Sequence, residues 1–258
     1  MFNILQNESY NTLRHDMENL SDNVHNVQNA LTDGYKAKKT TFHETVNGLK
    51  TYETHDFSSG VAKKTYRELD FAIQGEGFFE VIMPDNTVAY TRSGSFKLSP
   101  DGELLAPQGY PISTTASEQD LSNADTNQFS LSLSNSAIKI PTGVPVTLND
   151  KGELFDPAND KLGKINLVTF TNLDGLRDLG NGLYVPTKDA GQTKDIKIGY
   201  MRGETQLLQG YVEGSNAQLM EGMSKILELN TAIKAEMKIF KTLDQMHGDL
   251  NSTISRNL

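Results

Sequence analysis

The chain has 258 residues, enough for one substantial core or two modest ones. Its formal charge of −9 and pI near 5.1 argue against the clustered lysine and arginine surface that nucleic-acid binding requires. It has no cysteine, which excludes disulfides, thiolate metal sites and cysteine nucleophiles.

In chain order, the first pattern is helical. Tyr10, Leu13, Met17, Leu20, Val24, Val27 and Leu31 follow 3-4 spacing, a narrow seam suited to a partner helix. The spacing predicts a helix from about residue 5 to Thr32, with Gly34 as its stop. The basic run Lys36, Lys38 and Lys39 reads as a solvated turn, with Glu44 and Glu53 nearby, and a short helix is expected around Thr41 to Lys50.

From Leu69 the pattern turns to strands. Leu69–Ile73 alternates, Gly75-Glu-Gly77 interrupts, and Phe78–Ile82 and Thr87–Thr91 form a hairpin about Pro84-Asp85-Asn86. Leu98–Leu104 and Leu148–Leu154 are two similar tight hairpins, each with a glycine where φ must be positive. Thr114–Asn135 is a polar surface excursion, and Lys164–Phe170 alternates as one strand. A final helix is expected from a cap at Ser215 or Asn216, with a second seam at Leu219, Met223, Ile226, Ile233, Met237, Phe240, His247 and Ile254. Asn230 falls at a position the seam spacing assigns to the stripe.

These elements predict an α+β fold, in which N- and C-terminal helices pair as a coiled coil around an inserted, mainly antiparallel β domain. The expected segments are 1–34 for the first helix, 35–68 as connection, 69–212 for the β-rich body and 213–258 for the last helix. Such a chain needs partners.

The search for chemistry returns no catalytic, cofactor-binding or metal-ligating residues. His15, His25, His43, His55 and His247 show no metal-ligand spacing, and His15 and His25 read as solvated helix positions. Gly75-Glu-Gly77 leads into a strand instead of a helix N-terminus, so it lacks the dipole of a phosphate loop. Asp150, Asp156, Asn159 and Asp160 read as turn residues, not as a calcium loop. No Gly-x-Ser-x-Gly elbow occurs. A β-rich adhesin or carbohydrate enzyme would need paired carboxylates or an aromatic stripe, and the chain has no tryptophan.

Four blocks carry a resemblance. Asn26-Val27, Asn29 and Thr32-Asp-Gly34-Tyr35-Lys36 form the first. Leu69–Val81 with Gly75, Gly77, Phe78 and Phe79, then Arg92, Gly94, Phe96, Gly102 and Gly109-Tyr-Pro111, form the second and most specific. Gly163–Tyr184 and Gly210–Asn216 complete the set. Together they resemble the axial rod and hook proteins of the bacterial flagellum. That resemblance implies a structural subunit of the basal-body rod, polymerising helically and transmitting torque for motility. The implied partners are copies of itself, other rod proteins, hook and ring components and the flagellar export apparatus, with no nucleic acid and no membrane insertion. It also implies export without a cleaved signal, consistent with a start that lacks a basic region and an apolar core. Phe42 and Val46 match the family's export-gate motif. His25, Gln28, Ala30 and Leu31 depart from the usual signature, and the short stretch from Lys36 to Leu69 leans towards a proximal-rod type over the distal rod.

Overall fold

The computed structural model describes residues 2–45, 48–114, 136–199 and 204–256. Helix α1 (Phe2–Gln28) opens the chain and α2 (Leu219–Arg256) closes it. Between them run β1 (Lys38–Thr45), β2 (Gly48–His55), β3 (Ala62–Lys64), β4 (Phe71–Gln74), β5 (Phe78–Ile82) and β6 (Val88–Thr91). There follow β7 (Lys97–Leu98), β8 (Leu104–Leu105), β9 (Ser113–Thr114), β10 (Ser136–Ala137), β11 (Thr147–Leu148), β12 (Glu153–Phe155) and β13 (Lys161–Lys164). The last are β14 (Leu167–Phe170), β15 (Leu176–Gly180), β16 (Leu183–Pro186), β17 (Thr193–Asp195), β18 (Gln206–Gln209) and β19 (Tyr211–Glu213). The fold is α+β, and among the described residues the strand pairs are antiparallel apart from one isolated bridge.

The chain divides into two compact units. One comprises residues 1–30, 37–56 and 217–258; the other comprises 31–36 and 57–216.

In the helical unit, α1 and α2 pair. A Cβ on Gly222 would lie 2.6 Å from Val27 Cγ2, and Asp16 and His15 act on the Glu236 carboxyl. The end of α1 therefore meets the start of α2, and the helices run antiparallel. The less exposed described positions of α2 are Gly222, Ile226, Leu229, Ala232, Ile233, Glu236, Phe240 and Leu243, and all but Ala232 form a 4-3 repeat. This packed stripe takes Ile226, Ile233 and Phe240 from the sequence seam. It adds Leu229, which is buried, and leaves Leu219, Met223 and Met237 exposed. Asn230 is exposed and donates to the Ile226 carbonyl, so it lies off the stripe.

In the stretch expected as a short helix, residues 41–45 and 48–50 belong instead to strands β1 and β2, paired from Lys38↔His55 to Thr45↔Gly48. The β-branched Thr40, Thr41, Thr45, Thr51 and Thr54 favour the pleated surface over a helix. The first helix ends at Gln28, short of Thr32, and Gly34 is not its stop. The last helix begins at Leu219, because Asn216 is engaged elsewhere: its amide donates to the Tyr35 carbonyl and its side chain to Ser58. The Lys164–Phe170 alternation splits between β13 and β14, where Ile165 turns into the core and donates to the Gly152 carbonyl.

The β unit is built on a six-stranded sheet of order β15-β16-β6-β5-β14-β17, joined by smaller sheets β18-β4, β19-β3, β7-β8, β10-β9 and β11-β12-β13. Phe78 and Phe79 are neighbours on β5, so they point to opposite faces. Phe79 enters the larger core with Phe71, Phe96, Leu104, Ile138 and Leu154. Phe78 enters a second core with Tyr184, Tyr90 and Phe170, which Phe57 closes with edge-on ring contacts at 5.2 Å to Phe78 and 5.1 Å to Tyr184. Each buried aromatic side chain contributes about 1.5–3 kcal/mol of transfer free energy. The 98–104 and 148–154 hairpins form as expected, with Gly102 and Gly152 at φ 81° and 80°.

Glu236 is the polar interruption of the α2 stripe, and its Oε2 is buried without a hydrogen-bond partner among the described residues. Burial, and then the Asp16 carboxylate, hold its carboxyl above the ordinary 4.5, while His15 acts in the opposite direction. An acid whose folded-state pKa is raised favours folding while protonated, and that contribution is lost as pH rises through the raised value. Amide-exchange protection of α1 and α2 is expected to fall from mildly acidic to neutral pH, and Glu236→Gln should remove the dependence. Equal pH dependence in both chains would contradict this.

Candidate functional site

Lys36, Arg92 and Glu213 are 0%, 2% and 1% exposed, respectively, and they meet in the β unit. Lys36 Nζ donates to Glu213 Oε1 at 2.8 Å and to the Ser58 carbonyl at 2.6 Å. Arg92 grips the same carboxylate with two nitrogens, Nε to Oε2 at 2.9 Å and NH2 to Oε1 at 3.1 Å. The Gly60 amide adds a further bond to Oε1 at 2.8 Å. Two cations share one anion here, and the excess positive charge falls on carbonyl dipoles. NH1 of Arg92 donates to the carbonyls of Gly75 and Gly77, and NH2 reaches Ser59 Oγ. The guanidinium also lies 5.9 Å from the Phe78 ring centroid.

This junction explains much of the signature. Gly75-Glu-Gly77 presents carbonyl oxygens to a guanidinium, so its role is the reverse of a phosphate loop. Gly34 has φ 73°, and a Cβ there would stand 2.6 Å from the Ser93 backbone; its amide donates to the Glu213 carbonyl at 2.7 Å. Gly94 packs so closely that a Cβ would fall 1.8 Å from the Phe71 carbonyl oxygen. Tyr35 accepts from the Asn216 amide. Phe79 and Phe96 stack edge-on at 5.0 Å in the larger core, and Gly102 turns β7 into β8. Lys36 is thus no solvated turn residue. Sequence reading grouped it with Lys38 and Lys39 by charge, while Glu213, its partner, lies 177 positions away.

The helical unit has its own polar junction. Asn26 Nδ2 donates to the Lys38 carbonyl at 2.9 Å, while Asn26 Oδ1 accepts from the Lys38 amide at 2.8 Å. One turn earlier Asp22 Oδ2 accepts from the Thr40 amide at 2.6 Å. Two helical side chains thereby satisfy backbone groups of β1 as a neighbouring strand would. Asn29 instead returns to its own helix, donating to the His25 carbonyl. His25 is exposed as expected, whereas His15 is half-buried beside Asn19 and Asp16.

The seam of α1 divides between two faces. Leu13, Leu20 and Val27 are half-buried, with Val27 against Gly222 of α2. The alternate set is more open: Tyr10, Met17 and, beyond the helix end, Leu31 are exposed, and Val24 is half-buried. On α2, Met220, Met223 and Leu227 share an open face at 3-4 spacing, with Met220 76% and Leu227 70% exposed. Met237 continues that face. Phe42 stands on strand β1, with its side chain outside the described residues, as are Val46 and the side chains of His247 and Ile254.

The β unit carries a saturated ionic junction and the helical unit carries open apolar stripes, features of a protein built to be packed against. Residues 72–155 match the flagellar hook protein FlgE/F/G D1 domain, and residues 208–253 match the flagellar basal body rod FlgEFG protein C-terminal family. The flagellar basal-body rod protein FlgG of Buchnera aphidicola subsp. Schizaphis graminum is 30% identical, over 90% of this chain and 93% of that protein. FlgG of Borreliella burgdorferi is 27% identical over 91% and 92%, and the rod protein FlgF of Escherichia coli 26% over 89% and 90%. The chain belongs to the flagellar basal-body rod protein family: it is a structural rod subunit and not an enzyme. Among the described residues no helix is long and apolar enough to cross a membrane.

Removing the shared carboxylate should leave two buried cations uncompensated. Glu213→Gln is expected to cost the β unit about 3–5 kcal/mol, read by chemical denaturation; an unchanged midpoint would show that the junction is dispensable. Asn26→Ala should cost about 1–3 kcal/mol and raise exchange at the Lys38 and Thr40 amides, with the β unit unaffected.

Proposed function

We propose that the chain polymerises helically within the rod through its terminal helices, and thereby transmits torque for motility. The observation that carries this reading is the open stripe of Met220, Met223, Leu227 and Met237 beside a packed one on the same helix. Two helices bury one stripe against each other, and an exposed second stripe of this kind marks a contact surface. In the assembled rod α1 and α2 act as a coiled coil, its packed stripe being the 4-3 repeat of α2. Subunits join through heterologous contacts that do not close, which generates an open tube.

The partners are copies of this chain, other rod proteins, and hook and ring components. Delivery is through the flagellar export apparatus without a cleaved signal, with Phe42 and Val46 as the export-gate motif, to a rod spanning the periplasm. The acidic balance supports a surface that does not bind nucleic acid, and no membrane insertion is invoked. The short stretch between Lys36 and Leu69 supports a proximal position. A distal-rod or hook-type position is the second reading, favoured by the ordered β1–β2 hairpin that occupies this stretch.

The test uses cells whose own copy is deleted. Leu227→Asp is expected to leave the chain exported but absent from isolated basal bodies, with swimming lost; deletion of residues 1–34 should abolish export as well. Normal swimming with either variant overturns the reading.

A further inference from the structure

The described methionines are unevenly placed. Met17, Met220, Met223, Met237 and Met246 are exposed on the two helices, whereas Met83 lies in the β unit, packed against the larger core. With no cysteine in the chain, thioethers are its oxidisable sulfur. Met223 and Met220 lie one and two turns before Leu227 on the open stripe, and Met237 lies further along it. Met17 sits seven residues from Tyr10 on the open face of α1.

We propose that these five residues are modification sites for peroxides, and that their oxidation switches off self-association of the free subunit while its β unit stays folded. The proposal rests on the reading of the open stripes as assembly surfaces. A sulfur lone pair attacks one oxygen of hydrogen peroxide, the O–O bond breaks and an S–O bond forms. Sulfur loses two electrons, and the departing hydroxide takes up the remaining proton to leave as water. The product is a sulfoxide, a polar acceptor in place of an apolar, adaptable side chain. Buried against an apolar neighbour, it would be a polar group without a donor. The chemistry is selective by exposure: the helix thioethers are open in the free chain, and assembly would cover those on the stripes.

The experiment compares untreated and peroxide-treated full-length chain by peptide mass spectrometry and sedimentation. Oxygen is expected first at Met17, Met220, Met223, Met237 and Met246, with Met83 lagging, and association should weaken by at least about tenfold. The β unit's denaturation midpoint should hold, and methionine sulfoxide reductase should restore association. A chain with Met17, Met220, Met223, Met237 and Met246 each changed to Leu should associate and resist peroxide. If that variant remains peroxide-sensitive, or the oxidised wild type associates as before while Leu227→Asp does not, the oxidation proposal is overturned and the assembly reading stands. If Leu227→Asp associates normally, or the untreated chain shows no association at any concentration, the assembly reading itself falls.

Discussion

Glu213 holds a carboxylate in the β unit between two cations, Lys36 and Arg92, drawn from stretches 177 and 121 residues away. Burying three charges is costly unless each finds its partners, and here the pairing is dense. Arginine suits the central position because its planar fork can meet both carboxylate oxygens and still direct donors at carbonyls. Lysine, a compact charge on a flexible stem, closes the other side. The glycines around them follow from this constraint: a Cβ at Gly60 would lie 1.9 Å from the Gly214 carbonyl oxygen, Gly94 is as tight, and at Gly34 a Cβ would still clash with the Ser93 backbone. Close backbone approach is what lets carbonyls and amides supply the remaining bonds.

The helical unit solves a different problem. α1 presents one stripe to α2, a second, polar one to β1 through Asp22 and Asn26, and an open third with Tyr10 and Met17. A helix committed on two sides has little freedom to rotate, which fixes what the third side shows. On α2, Gly222 admits Val27 closely and Glu236 interrupts the apolar run. Those two residues weaken the packed stripe relative to an all-leucine seam. A second run of large apolar side chains, Met220-Met223-Leu227, is left open.

The helices and most hairpins were legible in the sequence because their signals are local. Heptad spacing marked α1 and α2, and positive-φ glycines marked the turns at Gly102 and Gly152. The packed stripe of α2 was less legible, since its members Gly222 and Glu236 are not apolar and pattern reading passed over Leu229 in favour of Met223 and Met237. The β1–β2 hairpin was missed because neither strand alternates cleanly between apolar and polar; Asp22 and Asn26 supply bonds to β1 that the local pattern does not reveal. Lys36, Gly75 and Arg92 were recognised by likeness alone. Their shared purpose depends on Glu213, and no local spacing announces an ion pair across 121 or 177 positions.

The location of that ion pair bears on how the β unit is held closed. The chain crosses between units after residues 30, 36, 56 and 216. Within the β unit, the segments at these crossings are bonded to one another: Gly34 to Glu213, Lys36 to Ser58, Asn216 to Tyr35 and Ser58, and Gly60 to Glu213. A pull on one segment therefore loads charge-assisted bonds to the others, and the unit cannot fray from one end alone. Ordinary strand ends lack this protection; β19 pairs through three residues and β3 is exposed along its length. Under the proposed assembly through the terminal helices, the place where those helices' chain segments enter the β unit is where closure is most needed. Glu213 accordingly sits at the end of β19, shortly before α2, and Lys36 shortly before β1.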